Sequence, residues 1–318
     1  MNVIDHGKYY TSLPREYYFS EDRFKEEMIK VWGEQWIYVG HVSQVVERGD
    51  YFTFNIANES LIITRSSPTE IKAFFNVCRH RGLKLCDKAS GHFPRRIVCP
   101  YHSWTYGIDG KLLTATQQPD GEAFDYKDWS LFEAQVNVWQ GFIFVSMSKE
   151  PMKPVADMID AQSTANMARI EPEKLKIAYE YVYESNSNWK LLLENGVECY
   201  HCTHVHPDFC TSLDVAQMSG YYADDYEPDL VQGIIIPVKH GLETLSIGGN
   251  YVSKKLLGEF GRGVPVPDGF GAGFMTQPGY CWSDFHPDHG FVGNCLPVSP
   301  TKSIMVCQWF VREDAVEE

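Results

Sequence analysis

Two mixed pairs of metal-binding residues constrain this chain more than any other feature. Cys78-Arg79-His80 is followed, after eighteen residues, by Cys99-Pro100-Tyr101-His102. Both pairs fall among short alternating or apolar runs, at 60–64, 71–77, 96–99, 103–108 and 141–147, broken by turn residues. Asp109-Gly110 between two such runs is a hairpin signal. Residues 36 to 148 therefore read as all-β, and two Cys/His pairs on loops between strands can converge to clamp one small object. Thiolates are soft donors suited to ferric iron and sulfide. Imidazole leaves its iron with less negative charge and titrates with redox state. Cys2His2 is also a zinc signature, but zinc-binding sequences usually pair like with like, and here each pair is mixed. Cys86 does not fit the spacing and is expected to be a small buried residue.

A second concentration of ligands follows in the other half. The run Asn188-Trp189-Lys190-Leu191-Leu192-Leu193-Glu194-Asn195-Gly196-Val197-Glu198-Cys199-Tyr200-His201 leads into Cys202-Thr203-His204-Val205-His206. Residues 188–198 predict a helix opened by Asn188. Glu198 and His201, three apart, share a helical face. His201 and His206, five apart, point about 140° away from each other on a regular helix, so a shared metal requires the helix to end or bend near Thr203. Other readings compete. A single histidine is most often a cap or a core residue, and Cys199-x-x-Cys202 has the spacing of a redox pair. No thioredoxin-like βαβ pattern surrounds that pair, however. A zinc site on Cys199, Cys202 and two histidines would crowd its ligands into eight residues.

Cys78-Arg79-His80-Arg81-Gly82 and Cys99-Pro100-Tyr101-His102-Ser103-Trp104 resemble the two cluster loops of Rieske-type non-haem iron oxygenases. Glu198-x-x-His201-x-x-x-x-His206 after Asn-Trp-Lys resembles the catalytic signature of the same enzymes. The resemblance runs from the N-terminal helix to the last strand. It implies an α+β protein, with an N-terminal all-β Rieske domain and an α+β catalytic domain built on an antiparallel sheet. Cys78, His80, Cys99 and His102 would hold a 2Fe-2S cluster. His201 and His206 would be the histidines of a 2-His-1-carboxylate site for mononuclear non-haem Fe(II). Glu198 would be the carboxylate linking the cluster of one subunit to the iron of the next, in a ring-like oligomer, commonly a homotrimer. The third iron ligand of the family is an aspartate from a helix after the last sheet strands. Asp208, Asp284 and Asp288 do not lie in that context, so the ligand is expected beyond Glu318 and the sequence is expected to be truncated.

The resemblance also bears on chemistry. Dioxygen and a small-molecule substrate meet at the iron. Electrons come from a separate NAD(P)H-dependent reductase or ferredoxin, because Gly258-x-x-Gly261-x-Gly263 and Gly269-x-Gly271-x-Gly273 lack the strand-then-helix setting of a dinucleotide fold. Glu198 where many aromatic-ring dioxygenases carry Asp, together with His206-Pro207, looks more like the enzymes of quaternary amines, such as glycine betaine demethylase and carnitine monooxygenase. Hydroxylation or N-demethylation of a quaternary ammonium compound is the expected reaction. Aromatic faces for cation–π contact are available in that half, among them Tyr200, Phe209, Trp282, Phe285 and Trp309. An aromatic ring-hydroxylating dioxygenase is the alternative. A Rieske electron carrier is another, but it leaves the second half of the chain unexplained.

Charge and cysteine usage narrow the setting. The formal charge is 28 − 42 = −14, which disfavours nucleic acid or an anionic membrane surface as partner. An acidic surface suits a basic electron donor. Nine scattered cysteines, an odd number, argue for reduced thiols or metal ligands rather than a disulfide framework. The first residues show no apolar signal region and no run approaches the ~20 residues that span a bilayer, so the cytoplasm is expected.

Residues 20–32 predict a helix capped by Ser20, with Phe24, Met28 and Trp32 on one face. The run 149–154, with two prolines and three charges, marks a boundary. Beyond it, 155–170 reads as a helix. Residues 176–183, 231–238, 291–298 and 304–311 read as strands, and the glycine-rich 248–273 as loop. Three units result: an N-terminal helical segment (1–35) packing on the catalytic domain, a Rieske domain (36–150) and a mononuclear iron domain (151–318).

Overall fold

The computed structural model describes residues 12–117, 124–196, 201–215, 231–234, 237–276 and 281–316. Helix α1 (Glu16–Phe19) runs into α2 (Glu21–Lys30), where the Ser20 hydroxyl accepts the Arg23 N–H at 3.3 Å. Glu21 and Asp22 stand at the positive end of α2 and Lys30 at the other. The expected helix is therefore found within two residues of its predicted bounds.

The cluster half contains ten strands. These are β1 (Ile37–His41), β2 (Asp50–Ile56), β3 (Glu59–Ser67), β4 (Glu70–Phe75), β5 (Ser90–His92), β6 (Arg96–Val98), β7 (Thr105–Gly107), β8 (Leu112–Thr114), β9 (Glu133–Trp139) and β10 (Phe142–Ser146). Seven of them form one sheet in the order β1-β10-β9-β4-β3-β2-β5, while β6-β7-β8 make a small separate sheet. Asp109-Gly110 turns the β7–β8 hairpin, with Gly110 at φ +81° and its α-carbon packed so tightly that an added methyl would run into the Phe74 ring. Only glycine satisfies both demands.

The second half begins with α3 (Ala161–Arg169). The sequence predicted one helix from 155 to 170. Instead a short 3-10 turn at Val155–Asp157 precedes it, and Asp160 restarts the helix by accepting the Ser163 N–H at 2.8 Å. An aspartate that caps a helix from outside competes with being inside it.

Six strands follow: β11 (Leu175–Ser185), β12 (Val231–Ile234), β13 (Gly273–Thr276), β14 (Cys281–Phe285), β15 (Gly290–Ser299) and β16 (Lys302–Arg312). They form a sheet ordered β11-β16-β15-β14-β13-β12. Strands β13 and β14 escaped the sequence reading, being only four and five residues long beside a glycine-rich stretch. The region expected as loop, 248–273, is irregular apart from a short 3-10 turn up to residue 271; Ala272 bridges to Phe285 and Gly273 opens β13. Every strand pairing among the described residues is antiparallel.

The two halves share a core. Tyr38, Phe142 and Phe144 of the first sheet pack with Phe274, Phe285 and Phe310 of the second. Polar ties lock the register, with the Tyr38 hydroxyl on Gln308 Oε1 at 2.7 Å and Asn294 Nδ2 donating to the Tyr38 carbonyl at 2.9 Å. This explains why β1 and β10 are buried on both faces, a pattern with no alternation to read. No helix among the described residues is long and apolar enough to cross a membrane.

Candidate metal centres

The two Cys/His loops are built alike. The Cys78 N–H donates to the Leu83 carbonyl and the Gly82 N–H to the Cys78 carbonyl, at 2.8 and 2.9 Å. The Cys99 N–H donates to Trp104 and the Ser103 N–H to Cys99, at 2.8 and 3.1 Å. Each cysteine thus opens a loop closed by its fifth neighbour, and each fourth residue takes a left-handed backbone, Gly82 at φ +73° and Ser103 at φ +61°. One loop follows β4 and the other follows β6, so the sheets bring two copies of the same local structure face to face.

Like groups meet across the loops. The Cys78 and Cys99 thiols are both buried in one core with Trp104 and Tyr106, and Cys78 is among the groups that act on the Cys99 thiol. The His80 and His102 rings meet edge to face with centroids 4.7 Å apart. Burial first, then the neighbouring Cys78 thiol, pushes the Cys99 thiol up. A zinc ion needs all four donors converging on one point. Among the described residues no three His, Cys, Asp or Glu side chains do so. Two thiols beside two imidazoles instead suit a pair of irons, each with its own pair of ligands. His102 Nδ1 is buried without a hydrogen-bond partner, a cost that a ligand role removes. The residues present fit a 2Fe-2S cluster.

The surroundings hold these groups in place. Trp104 stacks on His80 at 4.9 Å with an interplanar angle of 8°. Arg79 donates to the Ser130 and Asp128 carbonyls at 2.5 and 3.1 Å and lies 3.9 Å above the Phe132 ring. Cys86 is buried off the cluster, as its spacing implied, and burial drives its thiol up to about 11. The tip is exposed and basic. Residues 78–104 carry Arg79, Arg81, Lys84, Lys88, Arg95 and Arg96 against Asp87 alone, so they hold 6 − 1 = +5 and the rest of the chain −19. The overall acidity that suggested a basic donor does not extend to the cluster surface.

In the other half, helix α4 (Trp189–Gly196) starts where Asn188 Oδ1 accepts the Lys190 N–H at 3.0 Å. After α4 the chain reaches His201, the short α5 (Cys202–Val205) and His206. Helix α5 ends at Val205, and His206 leaves the helical conformation at φ −127° and ψ 59°. The two imidazoles stand 5.5 Å apart between centroids at 75°, which a continuous helix through His206 would prevent. Asn195 Nδ2 stands 3.1 Å from His201 Nε2. His204 faces outward and contacts the Thr203 hydroxyl at 3.1 Å. Glu198, Cys199 and Tyr200 lie outside the described residues.

The two histidines could supply two donors toward a mononuclear metal. Of the acids considered for a third, Asp208 is exposed. Asp288 is buried and already accepts from the Thr244 hydroxyl (2.7 Å), the Val252 and Ser253 N–H groups (2.7 and 3.1 Å) and His289 Nδ1 (2.9 Å). Asp284 is buried 2.9 Å from His286 Nε2, although the pair is not aligned as a hydrogen bond.

Two protein families match separate stretches of the chain. Residues 35–133 match the Rieske 2Fe-2S domain, and residues 172–318 match the catalytic domain of the ring-hydroxylating alpha subunit. The glycine betaine monooxygenase oxygenase subunit of Chromohalobacter salexigens is 32% identical over 96% of this chain and 72% of its own length. This chain belongs to the Rieske-type ring-hydroxylating oxygenases. Its cofactors are accordingly a 2Fe-2S cluster and a mononuclear non-haem iron, and it is an oxidoreductase that works with dioxygen and a reductase partner. The carnitine monooxygenase oxygenase subunit of Escherichia coli is 32% identical over 64% of this chain and 54% of its own length. Among solved structures, the quaternary ammonium Rieske monooxygenase CntA in complex with L-carnitine superposes with a TM-score of 0.74. It is 25% identical, over 96% of this chain and 77% of that one. A naphthalene 1,2-dioxygenase from Rhodococcus shares the fold at 21% identity and a TM-score of 0.71.

Proposed function

We propose that this oxygenase hydroxylates a quaternary ammonium compound such as glycine betaine at a carbon attached to nitrogen. The observation that carries the reading is the likeness to glycine betaine monooxygenase along 96% of the chain. Likeness to an aromatic-acid enzyme, toluate 1,2-dioxygenase of Pseudomonas putida, extends over only 62%. In the balanced reaction an N-methyl group, dioxygen, a pair of electrons and a pair of protons give the N-hydroxymethyl carbinol and water. One oxygen atom enters the methyl C–H bond and the other leaves as water. The carbinol then collapses to the tertiary amine, formaldehyde and a proton.

In this reading Cys78, His80, Cys99 and His102 hold the cluster, and His201 and His206 hold the iron together with a carboxylate not among the described residues. Bound there, the metals supply the electron storage and dioxygen activation that amino acids lack. The chain's own part is to orient these ligands. Glu198 is the carboxylate through which neighbouring subunits connect, and the charge asymmetry suits that arrangement. A basic cluster tip on one copy faces the acidic remainder of the next, giving a closed head-to-tail homotrimer. Such an interface weakens as salt rises. None of the eight described cysteines is paired in a disulfide, which suits the cytoplasm.

The test is turnover with NAD(P)H and a reductase. Formaldehyde formed from glycine betaine, and none of the cis-diol from benzoate, is the expected result. The reverse pattern overturns the substrate assignment. Sedimentation between 50 mM and 1 M salt tests the assembly, for which a monomer at all salts is the contrary outcome.

A further inference from the structure

The segment ahead of the cluster domain is built onto the helix that leads to His201. The Glu27 carboxylate accepts Lys190 Nζ on both oxygens at 2.7 Å and the Trp189 indole N–H at 3.1 Å. These charged side chains are only 14% and 9% exposed. The Tyr18 hydroxyl donates to Glu194 Oε1 at 2.5 Å, and the Tyr18 carbonyl accepts from Asn188 Nδ2 at 3.1 Å. Trp32 meets Trp189 edge to face at 5.4 Å. Both ends of α4 are therefore gripped by residues that lie some 170 positions earlier in sequence.

Helix α4 needs this grip. At eight residues it is far below the length at which a helix holds itself together in water. Its Glu194, Asn195 and Gly196 are exposed, so little packing fixes its last turn. A buried ion pair is an inefficient way to add stability, and its best-attested use is to set register. The Glu27–Lys190 pair fixes the start of α4, and the Tyr18–Glu194 bond fixes its end. Asn195, the next residue, reaches His201, its Nδ2 standing 3.1 Å from Nε2.

We propose that Tyr18 and Glu27 are positioning residues for the mononuclear metal site, setting the rotation of α4 and, through its last turn, the place of His201. The metal part of this proposal rests on the reading of His201 and His206 as ligands. If the contacts were only glue between domains, losing one would lower stability everywhere and leave metal affinity alone.

Tyr18→Phe removes one hydroxyl and keeps the ring, so it separates these cases. Hydrogen exchange of the cluster-loaded protein should accelerate about tenfold in residues 189–206 and stay unchanged in β2–β4, as expected for one lost hydrogen bond to a charged group. Cobalt(II) affinity should fall about tenfold, while the visible spectrum and potential of the cluster stay as in the wild type. Glu194→Ala should match Tyr18→Phe, the double variant should be no worse than either, and Glu194→Gln, which keeps an acceptor, should restore most of the affinity. Unchanged exchange at 189–206, or acceleration spread evenly with a fall in Tm, overturns the proposal. A wild type that binds no cobalt(II) would instead remove the metal reading, and the exchange result would still decide whether Tyr18 positions the segment.

Discussion

The Tyr106 hydroxyl lies 3.3 Å from Cys78 Sγ while it accepts the Arg79 N–H at 3.1 Å. Either group can donate while Cys78 is a thiol; as a thiolate ligand Cys78 has no proton to give, so the phenol is then the donor. Burial, and then the Cys78 contact, raises Tyr106 so far that it stays protonated at any working pH. A donor to a ligand sulfur stabilises the reduced, more negative cluster. Tyr106→Phe should therefore lower the cluster potential by roughly 30–60 mV, about a threefold to tenfold shift for one electron. A spectroelectrochemical titration that finds no change would show that the hydroxyl does not donate to sulfur.

The two cluster loops differ at one position in a way that can be tested. Gly82 and Ser103 both take a left-handed backbone, which costs an L-residue roughly 1–2 kcal/mol. Gly82→Ala meets no neighbour closer than 4.0 Å, so strain alone should lower stability by about 1 kcal/mol. Ser103→Gly should keep the cluster and change stability by less than about 1 kcal/mol, because relief of strain is offset by added chain entropy. Denaturant titration of both variants checks the contrast. A larger loss in Ser103→Gly than in Gly82→Ala would contradict it.

His41 gives the protein a pH dependence of known sign. Its Nε2 lies 3.0 Å from the Pro172 carbonyl, and its Nδ1 accepts the Ser43 N–H at 3.2 Å, an arrangement for the neutral ring. Burial lowers it from 6.5 to about 4. The unfolded chain binds the proton first, so this contribution is complete above pH 6.5 and is lost as pH falls toward 4, on the order of 3 kcal/mol in all. His41→Gln should flatten the stability profile across that window. A slope identical to wild type in urea titrations at pH 4.5, 5.5 and 7 would remove His41 as the cause.

His286 works in the opposite direction. Burial pulls it down, but the Asp284 carboxylate beside it outweighs burial and leaves it above its usual value. Its contribution is present below pH 6.5 and is lost as pH rises through the folded value. His286→Asn should make stability less sensitive to rising pH, as read from Tm between pH 6 and 9. Unchanged sensitivity would show that the pair does not titrate.

Asp288 ties together the irregular segment 244–253. It joins Thr244, Val252, Ser253 and His289 from a fully buried position. Asp288→Asn turns an acceptor into a donor that faces N–H groups, which should cost about 2–4 kcal/mol. Limited proteolysis should then cut first within residues 244–253. Cleavage elsewhere first would count against this role.

Much of the architecture was legible because it depends on local chemistry. Ser20 caps a helix through its own hydroxyl, Asp109-Gly110 supplies the backbone a tight hairpin needs, and Cys78-x-His80 with Cys99-x-x-His102 carries its donors on two short loops. Those features act within a few residues, so spacing alone reveals them. Other parts had no local signal. The doubly buried β1 and β10 carry no alternation, and the short β13 and β14 are defined by their neighbours. The early start expected for α3 gave way to the Asp160 cap, a choice between two local options that packing decides.

The sequence by itself determined which side chains were available for metals and the spacing that put them on shared loops. The tertiary structure alone decided the pairing of thiol with thiol and imidazole with imidazole, because it requires two sheets to deliver two similar loops to one place. It also decided the grip of Tyr18 and Glu27 on α4. Contacts between residues so far apart along the chain leave no periodicity, since they form only after burial has fixed both partners.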